Sequence, residues 1–301
     1  MNSTTRRDFT RAAITGAMAL RSGQSAAPAK RPTLCLFSKH LPKLNYADLA
    51  TTVKKMGFDG VDLTVRQGGH VLPERAAEDL PRAVERIRAE GLTVPMITTG
   101  LISPSDPAAR PTLSTAGNLK IPFYKLGYWH YADATSIESR IGEVRRDVAG
   151  LVDIAREHGV VTGFHNHSGN NVGAAIWDIR AIIGDMDPRW AGYYFDPCHA
   201  TVEGGDGGWL IALRMAIARI KMVAIKDFQW EKRDAKWKVR MCPLGEGMVD
   251  WPKFFSVLAA ARFTGPVSLH MEYEPADEMA AIVKDFEFLR KQVDAAYRGL
   301  S

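Results

Sequence analysis

Eight short apolar or β-branched segments recur along the chain, and each is followed by a longer segment with helical periodicity. The predicted strands cover residues 33–38, 60–65, 93–98, 123–128, 160–165, 192–196, 222–227 and 266–272. Strand and helix alternating this regularly predict a parallel sheet, and eight repeats predict a closed (β/α)8 TIM barrel in a single domain over residues 30–301. An open doubly wound α/β sheet is the alternative, although no G-x-G-x-x-G motif follows the first strand.

The segments between the strands have the periodicity of amphipathic helices, with one exception. The predicted helices cover residues 46–56, 76–90, 136–158, 176–185, 209–219, 251–261 and 278–297. Residues 103–114, after the third strand, are rich in proline and polar side chains, so the helix expected there is the weakest prediction. Gly57, Gly91 and Gly159 lie just before strands two, three and five, where glycine commonly ends a helix.

Residues 1–29 differ from the rest of the chain. The pair Arg6-Arg7 is followed by Phe9, by a weakly apolar run over residues 12–20 and by a small-x-small pattern at 27–29. This pattern resembles a twin-arginine export signal, so we expect the segment to be cleaved and the protein to be periplasmic or otherwise exported. Because Arg21 interrupts the apolar region, an amphipathic or disordered tail is the alternative.

Charge and cysteine content exclude several classes of protein. The formal net charge is +5, and removal of residues 1–29 takes away four arginines and one aspartate, which leaves about +2. A nearly balanced mature chain gives no electrostatic case for binding nucleic acid. No later segment is apolar enough for insertion into a membrane after export. The three cysteines are far apart and form neither a zinc-type spacing nor a disulfide framework.

Ionisable and aromatic side chains concentrate at the C-terminal ends of the predicted strands, where TIM barrels carry their active sites. Six of the eight histidines lie there. The candidate residues are Arg66, His70, Trp129, His130, His165, His167, Asp196, His199, Lys226, His270 and Glu272. His165 and His167 share one face of strand five, and His270 and Glu272 share one face of strand eight. If these faces point inward, the four side chains converge with Asp196 on one pocket.

Imidazole nitrogen combined with carboxylate oxygen suits zinc, manganese, iron or cobalt. A divalent metal in that pocket would polarise a carbonyl and stabilise an enediolate while His199 or Glu272 moves a proton. Simpler interpretations remain open at this point. A strand-end histidine is often a hydrogen-bonded structural residue, Asp196 before Pro197 is able to cap a turn, Lys226 and Arg66 fit surface charges, and the aromatic run around Trp129 fits either core packing or stacking on a sugar ring.

Five motifs, most of them in the second half of the chain, are similar to those of a known family. They are GFHNHSG at 163–169, FDPCHA at 195–200, VAIKD at 223–227, PLGEG at 243–247 and GPVSLHME at 265–272. The chain resembles the xylose isomerase-like TIM barrels, the sugar phosphate isomerase and epimerase group, over roughly residues 33–295. The resemblance implies one divalent metal held by glutamate, aspartate, histidine and glutamate from strands five to eight. It also implies that a homodimer is to be expected, because barrels of this family often dimerise.

The match to that ligand pattern is partial. The strand-six aspartate is Asp196, the strand-five glutamate position holds His165, and the usual strand-seven histidine is Ala224. The last glutamate falls on His270 or Glu272. Two interpretations follow from the resemblance. Either His165, Asp196, His270 and Glu272 hold a manganese, zinc, cobalt or iron ion, or the site has lost its metal. In both, Arg66, His70, Trp129, His167 and Lys226 are expected to orient substrate hydroxyls.

Three functions are compatible with these residues. The first is a carbohydrate- or polyol-active isomerase or epimerase that removes a proton next to a carbonyl, with a small sugar or polyol as its partner molecule. The second is a lyase on a keto-glycoside, which shares the proton abstraction but then expels the glycosidic oxygen. The third is a non-catalytic sugar-binding barrel.

Overall fold

Eight strands close into a parallel barrel in the computed structural model, which describes residues 31–132 and 136–299. Its strands are β1 (Thr33–Phe37), β2 (Gly60–Val65), β3 (Thr93–Thr99), β4 (Phe123–Lys125), β5 (Val161–His165), β6 (Ala191–Phe195), β7 (Ile220–Ile225) and β10 (Pro266–Leu269). Neighbours around the barrel follow the order β1, β10, β7, β6, β5, β4, β3, β2. The predicted (β/α)8 TIM barrel in one domain is confirmed. The expected export signal, residues 1–29, lies outside the described residues.

Helices surround the barrel and join its strands. They are α1 (Tyr46–Met56), α2 (Ala76–Ala89), α3 (Ala109–Asn118), α4 (Ile137–Glu157), α5 (Ile176–Ile183), α6 (Pro197–Ala216), α7 (Trp251–Ala260) and α8 (Glu278–Tyr297). Asn45 caps α1 by accepting from the backbone N–H groups of Ala47 and Asp48, and Gly57 ends it with φ +91°. That left-handed conformation is the reason for a glycine there. Within the described residues, none of the helices combines the length and the apolar character needed to cross a bilayer.

The segment after β3 does contain a helix, α3, in spite of its proline-rich sequence. Its buried residues, among them Leu113 and Ala116, pack into the layer between the barrel and the outer helices. Tertiary packing therefore outweighs weak local propensity. The helix after β6 starts earlier than predicted, at Pro197 rather than at residue 209, and Gly205 interrupts it with φ +57° and ψ −151°.

A two-stranded hairpin after β7 was not predicted from the sequence. Its strands are β8 (Asp227–Arg233) and β9 (Lys236–Cys242), paired antiparallel so that Arg233 faces Lys236. Asp234 and Ala235 form the two-residue turn, with φ of +51° and +60°. Turns with two positive φ values usually carry Asn-Gly or Asp-Gly. An Asp-Ala pair flanked by lysines and arginines gives no such signal.

The bottom of the barrel interior is filled by the separate apolar cluster of Met96, Tyr194, Met222 and Ala224. Gly163 on β5 is required there, because a Cβ atom would lie 1.8 Å from Cε of Met222. This close-packed apolar cluster lies below the C-terminal end of the barrel, where TIM barrels carry their active sites.

Candidate active site

A cavity of about 150 Å³ opens at the C-terminal ends of the barrel strands. Its basic and acidic side chains are Lys39, Arg66, Lys125 and Glu272, and its imidazoles are those of His165, His167 and His270. Phe37, Thr98, Tyr128 and Tyr194 complete the wall. Five of the sequence-predicted site residues therefore line this cavity. The cavity also has several residues that the sequence did not single out.

His165 ends β5 and is held at both ring nitrogens. The Tyr128 hydroxyl lies 2.7 Å from Nδ1, and Asp196 Oδ2 lies 3.3 Å from Nε2. Because a carboxylate only accepts, Nε2–H donates to Asp196 and Nδ1 accepts from the Tyr128 hydroxyl. Burial, followed by the Lys226 charge, lowers the pKa of His165 well below its usual value. The ring is therefore a neutral imidazole with both nitrogens engaged.

Asp196 links the barrel to helix α6. Its Oδ1 accepts from the backbone N–H of His199 at 3.1 Å, which caps the helix, while Oδ2 faces His165 and Lys226. Asn166 fixes the Asp196 backbone, because the amide donates to the Asp196 carbonyl at 2.9 Å and accepts from its N–H at 2.8 Å. Asp196 therefore caps α6 through Oδ1 and contacts the site residues His165 and Lys226 through Oδ2, so both interpretations of this residue apply.

Lys226, immediately after β7, lies behind the cavity wall and is 2% exposed. Its Nζ is 3.3 Å from Asp196 Oδ2 and 3.2 Å from Glu272 Oε2. Burial alone would lower the pKa of Lys226, but the two carboxylates outweigh it and raise the pKa well above the ordinary value. The interpretation of Lys226 as a surface charge is wrong, because its ammonium is a buried cation between two carboxylates.

Glu272 carries its negative charge into the cavity. Besides Lys226, it faces Lys39 Nζ at 3.6 Å from Oε1 and His270 Nδ1 at 3.9 Å. Burial by itself would raise the pKa of Glu272, yet the Lys226, His270 and Lys39 charges lower it below the usual range. The carboxylate is therefore ionised at neutral pH.

His270 offers one free ring nitrogen at the cavity. Its Nε2 lies 2.9 Å from the Tyr194 hydroxyl, which also lies 3.3 Å from Asp62 Oδ2. Nδ1 is buried without a hydrogen-bond partner among the described residues. Buried polar atoms without partners are rare, so this nitrogen is a position at which a substrate hydroxyl would be accommodated.

Lys125, at the end of β4, is a second lysine in a different environment. Its Nζ lies 3.4 Å from the centre of the Tyr128 ring, a cation–π distance. Burial, followed by the Arg66 charge, lowers the pKa of Lys125 well below its ordinary value. The barrel thus raises the pKa of one lysine, which lies between two carboxylates, and lowers the pKa of the other.

Besides Asp196 and Lys226, which lie behind the cavity wall, three residues predicted to act in catalysis or substrate binding do not line the cavity. His70 is tied to the loop after β2, with Nδ1 3.3 Å from the Thr64 hydroxyl and Nε2 3.1 Å from the Leu41 carbonyl oxygen. Trp129 is 3% exposed and stacks on Phe164 at 5.6 Å. His199 lies in the first turn of α6. Its Nδ1 is 2.8 Å from the Ser168 hydroxyl, and the centre of its ring is 3.9 Å from the centre of the His167 ring. His70 and Trp129 therefore have structural contacts in place of the expected substrate contacts.

Some cavity residues were not predicted from the sequence, and the strength of their sequence signals differs. Tyr194 lies two residues before Asp196 on the same face of β6. Because side chains alternate between the two faces of a strand, its sequence position indicates that it faces the same pocket. Tyr128 takes the inward position that was assigned to its neighbour Trp129. Lys39 gives no signal in the sequence, because it lies in a short 3-10 helix (Ser38–His40) after β1 and reaches Glu272 only in the folded barrel.

The four predicted metal ligands meet around Lys226, but they do not form a donor set for a metal ion. Within residues 31–132 and 136–299, no three His, Cys, Asp or Glu side chains are placed to hold one. The physical reason is that the Lys226 ammonium already lies between Asp196 and Glu272. His165 has no free nitrogen, as described above, so it also offers no lone pair.

A larger groove of about 690 Å³ adjoins the cavity at Arg66, which lines both. Arg66 also lies over the Phe37 ring, with its guanidinium carbon 5.6 Å from the ring centre. The far side of the groove is formed by the loop after β3 and the start of α3, including Pro107 and Pro111. The groove provides room for a molecule longer than the inner cavity.

Residues 50–292 match the protein family described as xylose isomerase-like TIM barrel. Among relatives matched by sequence, the inosose dehydratase of Geobacillus thermodenitrificans (strain NG80-2) is 27% identical over 152 residues, which is 47% of this chain and 48% of that protein. The inosose dehydratase of Bacillus cereus (strain AH820) is 26% identical over the same coverage. The chain thus spans about half the length of these relatives.

Several solved structures share the fold at low sequence identity. The 3-keto-D-glucoside 4-epimerase of E. coli superposes with a TM-score of 0.69 at 15% identity, covering 87% of this chain and 100% of that one. The D-allulose 3-epimerase of Methylomonas sp., in complex with D-allulose, has a TM-score of 0.68 at 15% identity, covering 87% and 98%. A xylose isomerase-like barrel of Mycobacterium smegmatis, in complex with magnesium, has 0.67 at 15%, covering 89% and 98%.

Proposed function

The chain belongs to the xylose isomerase-like TIM barrel family, and from this premise we propose that it is a carbohydrate- or polyol-active isomerase or epimerase. The reaction is removal of a proton from the carbon next to a carbonyl, followed by its return. The observation that carries the proposal is an ionised carboxylate, Glu272, in a small cavity that it shares with three basic side chains and three imidazoles. The similarity in fold to epimerases of keto sugars supports the same class of substrate.

Glu272 is the group that takes the proton. It lines the cavity, it is ionised, and the ammonium of Lys226 fixes its Oε2. When the carboxylate accepts the proton, the electron pair of the broken C–H bond moves to the carbonyl oxygen and gives an enediolate. Return of the proton to the same or the neighbouring carbon completes epimerisation or isomerisation. His199, the other proton carrier predicted from the sequence, does not line the cavity and has no part in this proposal.

The negative charge that develops on the substrate oxygen needs donors fixed in advance. Lys39 and Arg66 line the cavity and supply them as ammonium and guanidinium groups. The unpartnered Nδ1 of His270 is free to form a hydrogen bond with a substrate hydroxyl, and His167 and Thr98 add polar groups to the cavity lining. A wall of this composition suits a polyhydroxylated molecule better than an apolar one.

The divalent metal expected from the sequence is left out of this proposal. Its donor atoms do not fit, because Asp196 and Glu272 are already bridged by Lys226 and because Ala224 stands at the strand-seven position. Every step described above uses side chains of the chain itself.

Hydrogen–deuterium exchange tests the reaction. Purified protein is incubated in heavy water with a panel of ketohexoses, 3-keto-glucosides and inososes, and deuterium next to the carbonyl is measured by NMR. We expect exchange with at least one compound, and a loss of about 100-fold or more in Glu272→Gln. Glu274→Gln is the matched control, because Glu274 is exposed and does not line the cavity, and it should exchange at the wild-type rate. An absence of exchange across the whole panel would contradict the proposal.

A lyase or dehydratase is the second candidate, favoured by the two matched relatives named inosose dehydratase. Elimination begins with the same proton removal, after which the enediolate expels a hydroxyl or glycosidic oxygen from the next carbon. The groove next to Arg66 has room for such a leaving group. Mass spectrometry of the products distinguishes the candidates, since an isomerase or epimerase conserves mass, whereas a dehydratase loses water and a glycoside lyase releases two fragments.

We also propose that residues 1–29 direct export of the protein, on the strength of the Arg6-Arg7 pair and the apolar run after it. An exported enzyme of this class would meet glycosides and free sugars outside the cytoplasm, with a small molecule rather than nucleic acid as its partner.

A further inference from the structure

We propose that the ammonium group of Lys226 takes the place of the divalent cation in this barrel, so that the site binds no metal in its working form. The relevance of this substitution to catalysis rests on the proposed function. The substitution itself concerns only which cation Asp196 and Glu272 hold, and it is tested by metal binding without reference to any substrate.

The barrel topology puts Lys226 midway between the two carboxylates. The strands β6, β7 and β10 are consecutive neighbours around the barrel, and they carry Asp196, Lys226 and Glu272 at or just beyond their C-terminal ends. Nζ therefore meets one carboxylate on each side, at 3.3 and 3.2 Å. The side chain is 2% exposed and Asp196 is 0% exposed, so water screens this arrangement very little.

A metal ion and this ammonium compete for the same atoms. A zinc or manganese ion would need Asp196 Oδ2 and Glu272 Oε2 at roughly 2.0–2.2 Å, which places it within a few ångströms of Nζ. Two positive charges so close in a buried site repel strongly, and Lys226 holds its position through both carboxylates. Binding of the metal therefore requires displacement of Lys226.

The remaining donors do not favour that displacement. His165 accepts from Tyr128 and donates to Asp196, and His270 has only Nδ1 free. Ala224, directly below Lys226 on the inward face of β7, contributes a methyl group where a ligand would have to be. Two imidazole nitrogens near the two carboxylates lack a hydrogen-bond partner among the residues described, His270 Nδ1 near Glu272 and His199 Nε2 at 3.8 Å from Asp196 Oδ2. Within the described residues they do not converge with the carboxylates as a set of three donors, whereas a transition metal prefers three or four protein ligands.

An ammonium performs part of what a metal would do. It offsets one of the two negative charges on Asp196 and Glu272 and holds the Glu272 carboxylate in place, so Lys226 is a positioning residue that acts through Glu272. It has no open coordination position, so the polarisation of a substrate oxygen falls to Lys39 and Arg66 in the cavity. This division of roles predicts that a chelator leaves the wild-type protein unaffected.

Titration with Mn²⁺, followed by the loss of the free-ion EPR signal, tests the inference directly. We expect wild-type protein to bind no stoichiometric Mn²⁺ up to about 1 mM of the ion, which is as weak as the binding of calcium by extracellular modules. Lys226→Ala removes the competing charge and leaves space between the two carboxylates. We expect this variant to bind one Mn²⁺ per chain at least 100-fold more tightly than wild type, and Lys226→Ala combined with Asp196→Asn to lose that binding.

Lys39→Ala is the matched control, since Lys39 also contacts Glu272 but is half exposed and does not touch Asp196. It should bind Mn²⁺ no better than wild type. Circular dichroism establishes that each variant is folded. If Lys226→Ala does not fold, the titration of the wild-type protein still tests the inference. Binding of one Mn²⁺ per wild-type chain that is lost in Asp196→Asn would overturn it. A folded Lys226→Ala that binds no Mn²⁺ also overturns it. Failure of all exchange assays would count against the proposed function and leave these titrations unchanged.

Discussion

Replacing Asp196 and Lys226 singly and together gives a direct measure of the buried ion pair. Asp196→Asn keeps an oxygen that caps α6 but removes the charge that faces Nζ at 3.3 Å. Lys226→Met keeps the volume of the side chain but leaves two carboxylates without their shared cation. Both side chains are almost fully buried, at 0% and 2% exposure, so solvent compensates little for either loss.

The distance sets the scale of the expected coupling. For unit charges 3.3 Å apart and an effective dielectric constant of about 20, Coulomb's law gives about 5 kcal/mol, which is an upper bound. Breaking a buried pair by removing one partner typically costs about 3–5 kcal/mol. We expect Lys226→Met to fall in that range. Asp196→Asn should cost less, about 1–3 kcal/mol, because Lys226 keeps Glu272. The double variant should be more stable than additivity predicts by about 3 kcal/mol.

Urea unfolding followed by tryptophan fluorescence measures all four free energies of unfolding, with EDTA present so that no metal stabilises a variant. Because the pair is buried, 0.5 M NaCl should leave the coupling energy unchanged. A coupling below about 0.5 kcal/mol would refute the reasoning, since that is the additivity expected of independent sites. A coupling that salt abolishes would refute it as well, because it would identify an exposed pair.

Three further predictions concern other parts of the chain. Burial raises the pKa of Asp285 to about 6, although it accepts from Leu244 N and from the Tyr273 hydroxyl. The folded state therefore holds this proton more tightly than the unfolded state, and wild type loses roughly 3 kcal/mol of stability as pH rises from about 4 to 6. The stability of Asp285→Asn relative to wild type should accordingly rise over that window in urea titrations, and a pH-independent difference would contradict this. Ala235→Gly should slow amide exchange in the hairpin by relieving a positive φ of +60°, a gain of about 1 kcal/mol, and unchanged or faster exchange would argue against strain at that turn. Replacing Arg6 and Arg7 by lysine should hold the protein in the cytoplasm in fractionation experiments, and undiminished export would show that the pair is no signal.

The sequence anticipated the barrel because the barrel depends on local patterns. The predicted ranges for β2, α1 and α8 coincide with the observed elements, and Gly57, Gly91 and Gly159 have the positive φ values expected of glycines that end helices. Differences arise where local signals are weak. The β8–β9 hairpin has an Asp-Ala turn, and α3 forms from a proline-rich segment whose apolar residues are buried only once the barrel is closed.

The candidate site was predictable in location but less so in its contacts. His165, His167, His270 and Glu272 line one cavity, as the two-residue alternation predicts, although β5 ends at His165 and β10 ends at Leu269. The same rule could not say whether Trp129 or Tyr128 points inward, because β4 ends at Lys125 and strand alternation no longer applies beyond it. His70 was assigned to substrate, but the loop after β2 turns back so that Val71 pairs with Val65 and the imidazole meets backbone and Thr64.

What the sequence by itself determined is the family, the eightfold alternation of strand and helix, and the end of the barrel at which polar chemistry collects. These follow from hydrophobic periodicity and from the rule that parallel strands present their C-terminal ends to one face. Only the tertiary structure decided that Lys226 lies between Asp196 and Glu272, residues 30 and 46 positions away along the chain. Closure of the barrel makes β6, β7 and β10 neighbours, and burial then keeps the ammonium charged between two carboxylates. A sequence pattern specifies neither the distances from Lys226 to the two carboxylates nor the low dielectric constant around them.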